Sequence, residues 1–201
     1  MTTLGANPLE VRAALTDEVR DLVLAAAVTR VEADELAAVR DEVTRLRARL
    51  EAAVAERSVR QAFESALDAA AAGEPFRVSQ YNAFGIPIAI VIAGETAHAE
   101  LVADARHEGP PDCVHGGIAA WLMDTMLGLV MQARGRRAVT ATLDIRYQRP
   151  TPLGALLKLE SRVSGAQGRK VWIEGWIEVD DVKTVTAEGL FVELPDGRLK
   201  P

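Results

Sequence analysis

"VHGGIAAWLMDTMLG", residues 114–128, begins with a valine, a histidine and two glycines and then carries one aspartate, Asp124, inside an otherwise apolar run. Glycine is a poor residue for a helix interior, and a carboxylate among apolar side chains is costly unless it is paired or used. Both choices need a reason. The run predicts a helix from about Gly116 to Ala133, closed by Gly135, with Trp121, Met123 and Met126 packing in its core or walling a pocket.

Outward from this helix, strand signals surround it. Residues 86–92 are apolar and β-branched, Gly94-Glu95 turns the chain, and residues 97–103 alternate, which predicts a hairpin. Beyond the helix, Val139, Ala141, Leu143, Ile145 and Tyr147 alternate with Thr140, Thr142, Asp144 and Arg146. Leu157 and Leu159 continue the pattern, Val171 to Val179 makes another strand, and Thr184 to Leu194 the last, with turns at Ser164–Gly168 and Asp180-Asp181. One long helix with an antiparallel meander is an α+β arrangement, in which the sheet must wrap the helix to bury it.

The chain changes character near Gly73. Residues 1–73 are rich in Ala, Leu, Val, Arg and Glu, whereas 76–195 carry regularly spaced glycines, prolines and β-branched residues, so two domains are expected. Asn7-Pro8-Leu9-Glu10 reads as a helix start, with Asn7 as cap, Pro8 at the first helical position and Glu10 closing a capping box. Leu15, Val19, Leu22 and Ala26 recur at helical spacing. Leu36, Val39, Val43, Leu46 and Leu50 step by three and four as a heptad stripe flanked by Arg and Glu. Two or three amphipathic helices follow, turning near Glu32–Asp34, as a hairpin packed on its own domain or on a second copy. The segment to Ala72 holds nine arginines, no lysine and thirteen acids, too little cationic excess for a membrane-surface helix.

At 201 residues and 49% hydrophobic composition the chain can bury an ordinary core, and its net charge of −6 supplies no basic field for nucleic acid. Residues 86–94 fall far short of a membrane span, and residues 1–10 lack the parts of a signal peptide, which points to a cytoplasmic protein. One cysteine, Cys113, cannot form an internal disulfide, and the three histidines show no zinc-ligand spacing. No cofactor is expected.

The helix N-terminus offers free N–H groups and the positive end of the dipole, and glycines at 116 and 117 leave the approach open to an anion. A carbonyl oxygen gaining charge during acyl transfer would be stabilised there, one such donor being worth roughly a hundred- to a thousandfold in rate. Asp124 lies eight residues beyond Gly116, about 12 Å along the helix and about 80° around it. One carbonyl cannot touch both on a single helix. The two serve one substrate only if a second copy lays its helix antiparallel alongside, which predicts a dimer with composite sites. The spacing alone also admits a carboxylate that pairs locally, a tight glycine turn needing positive φ, and a His115 that only caps the helix. Cys113 and His115 have no third orienting residue, so a Cys-His nucleophile is set aside.

The segments "GPPDCVHGGIAAWLMDTMLG", "VTATLDIRYQRPTPLGALLKLESRVSGAQGRKVWIEGWI" and "TAEGLFVEL" resemble the hotdog-fold acyl-CoA thioesterases of the PaaI-like and thioesterase-superfamily-member type, from about Phe76 to Leu194. The resemblance implies a hotdog fold, with an antiparallel sheet wrapped around a long central helix, here carrying an N-terminal all-helical extension. It implies an acyl-CoA substrate and a site between two subunits of a homodimer, or of a dimer of dimers. Asp124 falls on the family's general base or nucleophile, Gly116 on its oxyanion donor with Gly117 supporting the turn, Thr140 on its water-positioning hydroxyl, and His115 on its histidine. Some relatives carry an asparagine six residues before that histidine; here Gly109 stands there. The polyanionic end of coenzyme A calls for cations, and Arg136, Arg137, Arg146, Arg149, Arg169 and Lys170 are the candidates. The rival reading is a non-catalytic acyl-CoA- or lipid-binding hotdog protein that acts through a partner held by the N-terminal helices. A hydratase on the same fold would need a His paired with an acid at other positions.

Overall fold

A computed structural model describes residues 7–61 and 64–195, and the chain divides into two compact units, Met1–Arg60 and Gln61–Pro201. The first holds α1 (Pro8–Val28) and α2 (Ala33–Glu51). Asn7 caps α1 as expected, its Oδ1 accepting from the Leu9 N–H at 3.1 Å. Glu10 bonds the Asn7 side chain rather than its backbone, so the box closes differently from the one expected. The expected apolar stripe of α1 is not its buried side, since Leu15 and Leu22 are exposed while Thr16 and Arg20 are buried. Burial is tolerable there because the Thr16 hydroxyl donates to the Arg12 carbonyl and Arg20 is neutralised by Asp17 at 2.7 Å. The helices do not pair as a hairpin: α1 and α2 do not pack on one another, and α2 buries no residue.

The second unit holds α3 (Glu64–Ala72), strands β1 (Phe76–Arg77), β2 (Ala89–Ala93) and β3 (Thr96–Val102), then α4 (Gly116–Ala133), β4 (Ala138–Tyr147), β5 (Leu156–Gln167), β6 (Lys170–Val179) and β7 (Val182–Glu193). Composition shifts at Gly73, but packing shifts earlier, because α3 lies on α4 and Ala66 is buried in the same core.

All strand pairs are antiparallel, in the order β1-β2-β3-β5-β6-β7-β4. The sheet is therefore not a simple meander. After the helix, β4 crosses to the far side of β7 and forms the edge, while β3 pairs directly with β5. The expected turn at Ser164–Gly168 shrinks to Gly168-Arg169, because β5 continues to Gln167 through an irregularity between Val163 and Gly165. Asp180 and Asp181 both have positive φ, 49° and 61°, as a two-residue hairpin of primed type requires.

The helix α4 spans the residues expected of it and lies across the sheet. Leu122, Met123, Met126, Leu127 and Val130 pack with Ile90, Leu157, Leu159, Ile173, Ile177 and Phe191, and Trp121 is only half-buried. The close approach depends on two glycines. A Cβ on Gly175 or Gly189 would come within 2.7 and 2.8 Å of the Leu127 methyls.

Candidate active site

Backbone bonds fix the start of α4. Val114 N–H donates to the Thr151 carbonyl and His115 N–H to the His107 carbonyl, both at 2.8 Å, which ties the helix entrance to two separate loops. His115 is the N-cap, its Nδ1 accepting from the Gly117 N–H at 2.9 Å. A Cβ on Gly117 would lie 3.0 Å from that nitrogen, so the second glycine gives the imidazole room to fold over the helix end. Neither Gly116 nor Gly117 has positive φ, which removes the tight-turn explanation for the pair. Since His115 takes the Gly117 N–H and Ile118 N–H bonds the His115 carbonyl, the Gly116 N–H is the donor left without an acceptor among the described residues.

Two further features shape this end. The Tyr147 hydroxyl donates to the Gly116 carbonyl at 2.9 Å, and its ring would only graze a Cβ at 116, at 3.4 Å. The chain itself thus makes little steric demand for glycine at 116. Gly109 packs against His115 so closely that a Cβ would sit 2.7 Å from the His115 Cα; the asparagine of some relatives has no space here.

The carboxylate answers the opening question in an unexpected way. Asp124 is exposed on the side of α4 turned away from the buried stripe, so within one chain it is not a charge forced into a core. The Thr140 hydroxyl, on β4, donates to its Oδ1 at 3.2 Å. Both line a cleft of about 180 Å³ with Gly128, Met131, Gln132, Arg136, Arg137, Ala138 and Phe191.

The predicted residues therefore fall into separate groups. Asp124, Thr140, Arg136 and Arg137 share the cleft, whereas His115, Gly116 and Gly117 lie at the helix start. Arg169 reaches the edge of the first group, donating to the Glu193 carbonyl at 3.3 Å while Arg136 pairs with the Glu193 carboxylate. Arg146 is not brought there: it lines a groove on the sheet with Asp144, Glu174, Thr186 and Glu188, and its acidic neighbours oppose a phosphate. Arg149 and Lys170 lie outside both the cleft and that groove. Sequence reasoning missed Tyr147 and Gly128. Tyr147 stands in the quoted Tyr-x-Arg-Pro run, and the signal for Gly128 is a glycine inside a helix one turn after the aspartate.

The loop before α4 carries two groups with displaced titrations, Asp104 and His107. Arg106 bonds Asp104 and holds its carboxyl below the usual range. Burial pushes the His107 imidazole down, outweighing the Asp104 carboxylate 3.2 Å away. Among the described residues no group of three or more His, Cys, Asp or Glu side chains is placed to hold a metal ion, and no helix is long and apolar enough to cross a membrane.

A sheet wrapped on one long helix, with a glycine pair at its start and a carboxylate at mid-length, defines a hotdog protein, and this chain belongs to the thioesterase superfamily. The model of that family matches residues 112–186. The crystal structure of a thioesterase superfamily protein, RHA08564, is 30% identical and covers 90% of both chains with a TM-score of 0.75. Acyl-coenzyme A thioesterase THEM4 of Bos taurus is 34% identical over 89 residues, 43% of this chain and 36% of that protein. Acyl-coenzyme A thioesterase THEM5 of Mus musculus is 30% identical over the same shares. The chain thus spans well under half the length of these curated relatives. The structure of smu.793 from Streptococcus mutans UA159, bound to acetyl CoA, shares the fold at 18% identity and a TM-score of 0.52, covering 54% of this chain and 90% of that one.

Proposed function

We propose that the chain hydrolyses the thioester of an acyl-CoA at a site completed by a second copy. The observation that carries this reading is the Asp124–Thr140 pair, hydrogen-bonded at 3.2 Å and open to a cleft flanked by Arg136 and Arg137. Its support is family membership together with the acyl-coenzyme A thioesterases among the relatives.

In this mechanism Asp124 acts as general base on a water that Thr140 orients; as a direct nucleophile it would instead bond the carbonyl carbon as the C–S bond breaks, the thiolate leaving with a proton from solvent, and water would then hydrolyse the resulting mixed anhydride to free the acid and Asp124. In the general-base route the water oxygen bonds the carbonyl carbon, the C–S bond breaks, and the proton taken from water passes to the departing thiolate, leaving a carboxylic acid and free CoA. The carbonyl oxygen rests on the Gly116 N–H of the other copy, because Gly116 and Asp124 of one helix are about 12 Å apart. Two features favour the pairing. β4 is an edge strand, with Val139 and Tyr147 exposed, and an unprotected edge is a template for another chain. Arg136 and Arg137 then meet the phosphates of CoA.

The test is thiol release from acyl-CoAs ranging from acetyl to palmitoyl, with phenylacetyl and benzoyl. Asp124→Ala should lower kcat by about a hundred- to ten-thousandfold while the fold persists. Unchanged turnover in that variant would remove Asp124 from the chemistry, and binding without thiol release by the native chain would favour a non-catalytic acyl-CoA carrier.

A further inference from the structure

The helix α2 has an apolar seam that no other described element of the helical unit covers. Leu36, Val39, Val43, Leu46 and Leu50 are 37–57% exposed, no residue of α2 is buried, and α1 does not pack on it. These five positions form one line along about 21 Å of helix. A helix of 19 residues is marginal in water by itself, and packing of an apolar face is what ordinarily stabilises one.

The charges beside the seam identify what covers it. Written as heptads, Leu36, Val43 and Leu50 occupy a, and Val39 and Leu46 occupy d. The g positions before each a residue are Glu35, Glu42 and Arg49, and the e positions are Arg40 and Arg47; Arg49 has no e partner within α2, since the position five residues on is Val54, beyond the helix. In a parallel pair each g side chain faces the e side chain five residues on in the other helix. Glu35 then meets Arg40 and Glu42 meets Arg47, on both flanks of the seam. In an antiparallel pair g faces g and e faces e, which sets Glu42 against Glu42 and Arg40 against Arg40 and leaves only Glu35 opposite Arg49 as an attractive pair, so the parallel arrangement matches more charges. Within one chain Arg40 lies 2.8 Å from Asp41 and Arg47 lies 3.5 Å from Glu51, but these pairs are exposed and cost little to exchange.

We propose that α2 pairs with α2 of a second copy as a short, parallel, in-register coiled coil. The inference does not rest on the proposed hydrolysis. Its residues lie outside the cleft and outside the start of α4, so thiol release can be followed in the same samples and the two readings fail independently.

The experiment uses the full chain with Cys113→Ser, adding Val39→Cys, Leu46→Cys or, on the outer face, Ala48→Cys. Each variant is mildly oxidised and run on a non-reducing gel. Val39→Cys and Leu46→Cys should each form a covalent dimer alone, and Ala48→Cys should not. Adding Glu35→Arg with Glu42→Arg to the Leu46→Cys chain should reduce its dimer several-fold. Mixing that chain with one carrying Arg40→Glu, Arg47→Glu and Leu46→Cys should restore the dimer as a mixed species. A Val39→Cys chain that forms dimer only when mixed with a Val43→Cys chain means antiparallel helices, in which d faces a, and overturns the proposal. Absence of any seam dimer, or indifference to the charge changes, overturns it too, the seam then being covered by something other than a second α2.

Discussion

At the scale of single residues, Gly128 is a helix glycine that no backbone or packing demand explains. It lies one turn beyond Asp124, its φ is not positive, and a Cβ built on it meets nothing within 4 Å, yet it lines the cleft. Inside a helix, glycine costs about 0.5–1 kcal/mol relative to alanine. Gly128→Ala should therefore raise unfolding stability by about that amount. Gly128→Leu should fill the cleft and lower kcat/KM for acyl-CoA more than about tenfold, on the proposed reading. A Gly128→Leu chain with native kinetics would mean that this cleft does not receive the substrate. Gly175 makes the opposite demand, since its absent Cβ would fall 2.8 Å from the Glu160 carbonyl oxygen and 2.7 Å from Leu127. Backbone cannot yield cheaply, so Gly175→Ala should destabilise the fold by about 1–3 kcal/mol, read from chemical denaturation.

At the scale of elements, α4 was the most legible part of the sequence and β4 the least. The helix is marked at both ends, by His-Gly-Gly and by Gly135, and its apolar run is continuous, so local chemistry sets its limits. The alternation of residues 139–147 revealed a strand but not its neighbour, because pairing with β7 joins segments separated in the chain by two strands, β5 and β6. Asp124 stood out as a candidate through its place in an apolar run and its spacing from Gly116, whereas its exposure depends on which way the helix faces, which the sheet decides. The loop anchoring α4 has its own pH response. Burial keeps the folded-state pKa of His107 below its unfolded value of 6.5, so the unfolded chain takes the proton first as pH falls. Stability should accordingly be full above about pH 6.5 and decline as the pH drops below it, until the folded imidazole also titrates. Asp104, held low by Arg106, adds a loss at more acid pH, below its unfolded value of 3.8. Unfolding midpoints between about pH 7.5 and 5 should fall less steeply in His107→Gln than in the native chain. Parallel slopes would show that another group supplies the proton.

At the scale of the whole molecule, the chain joins a packed sheet unit to a helical unit with much exposed apolar surface, and residues 36–50 show why only the first was readable in detail. Their heptad stepping was visible in the sequence, but a seam is matched by apolar residues whether it packs inward or meets another chain. Only its exposure beside α1 separates the two. The same holds for the proposed composite site, which is argued from a helical rise and whose assembly no single chain displays. The place of β4 at the edge, hydrogen-bonded to β7 alone, also orders events in time. A nascent chain that has emerged through Val179 already carries α4 and Asp124, but β7, the strand of its own fold that docks Thr140, has yet to emerge. Thr140 takes its place against Asp124 only after the last strand arrives, and a message truncated before Val182 would yield a chain with the carboxylate and without its partner.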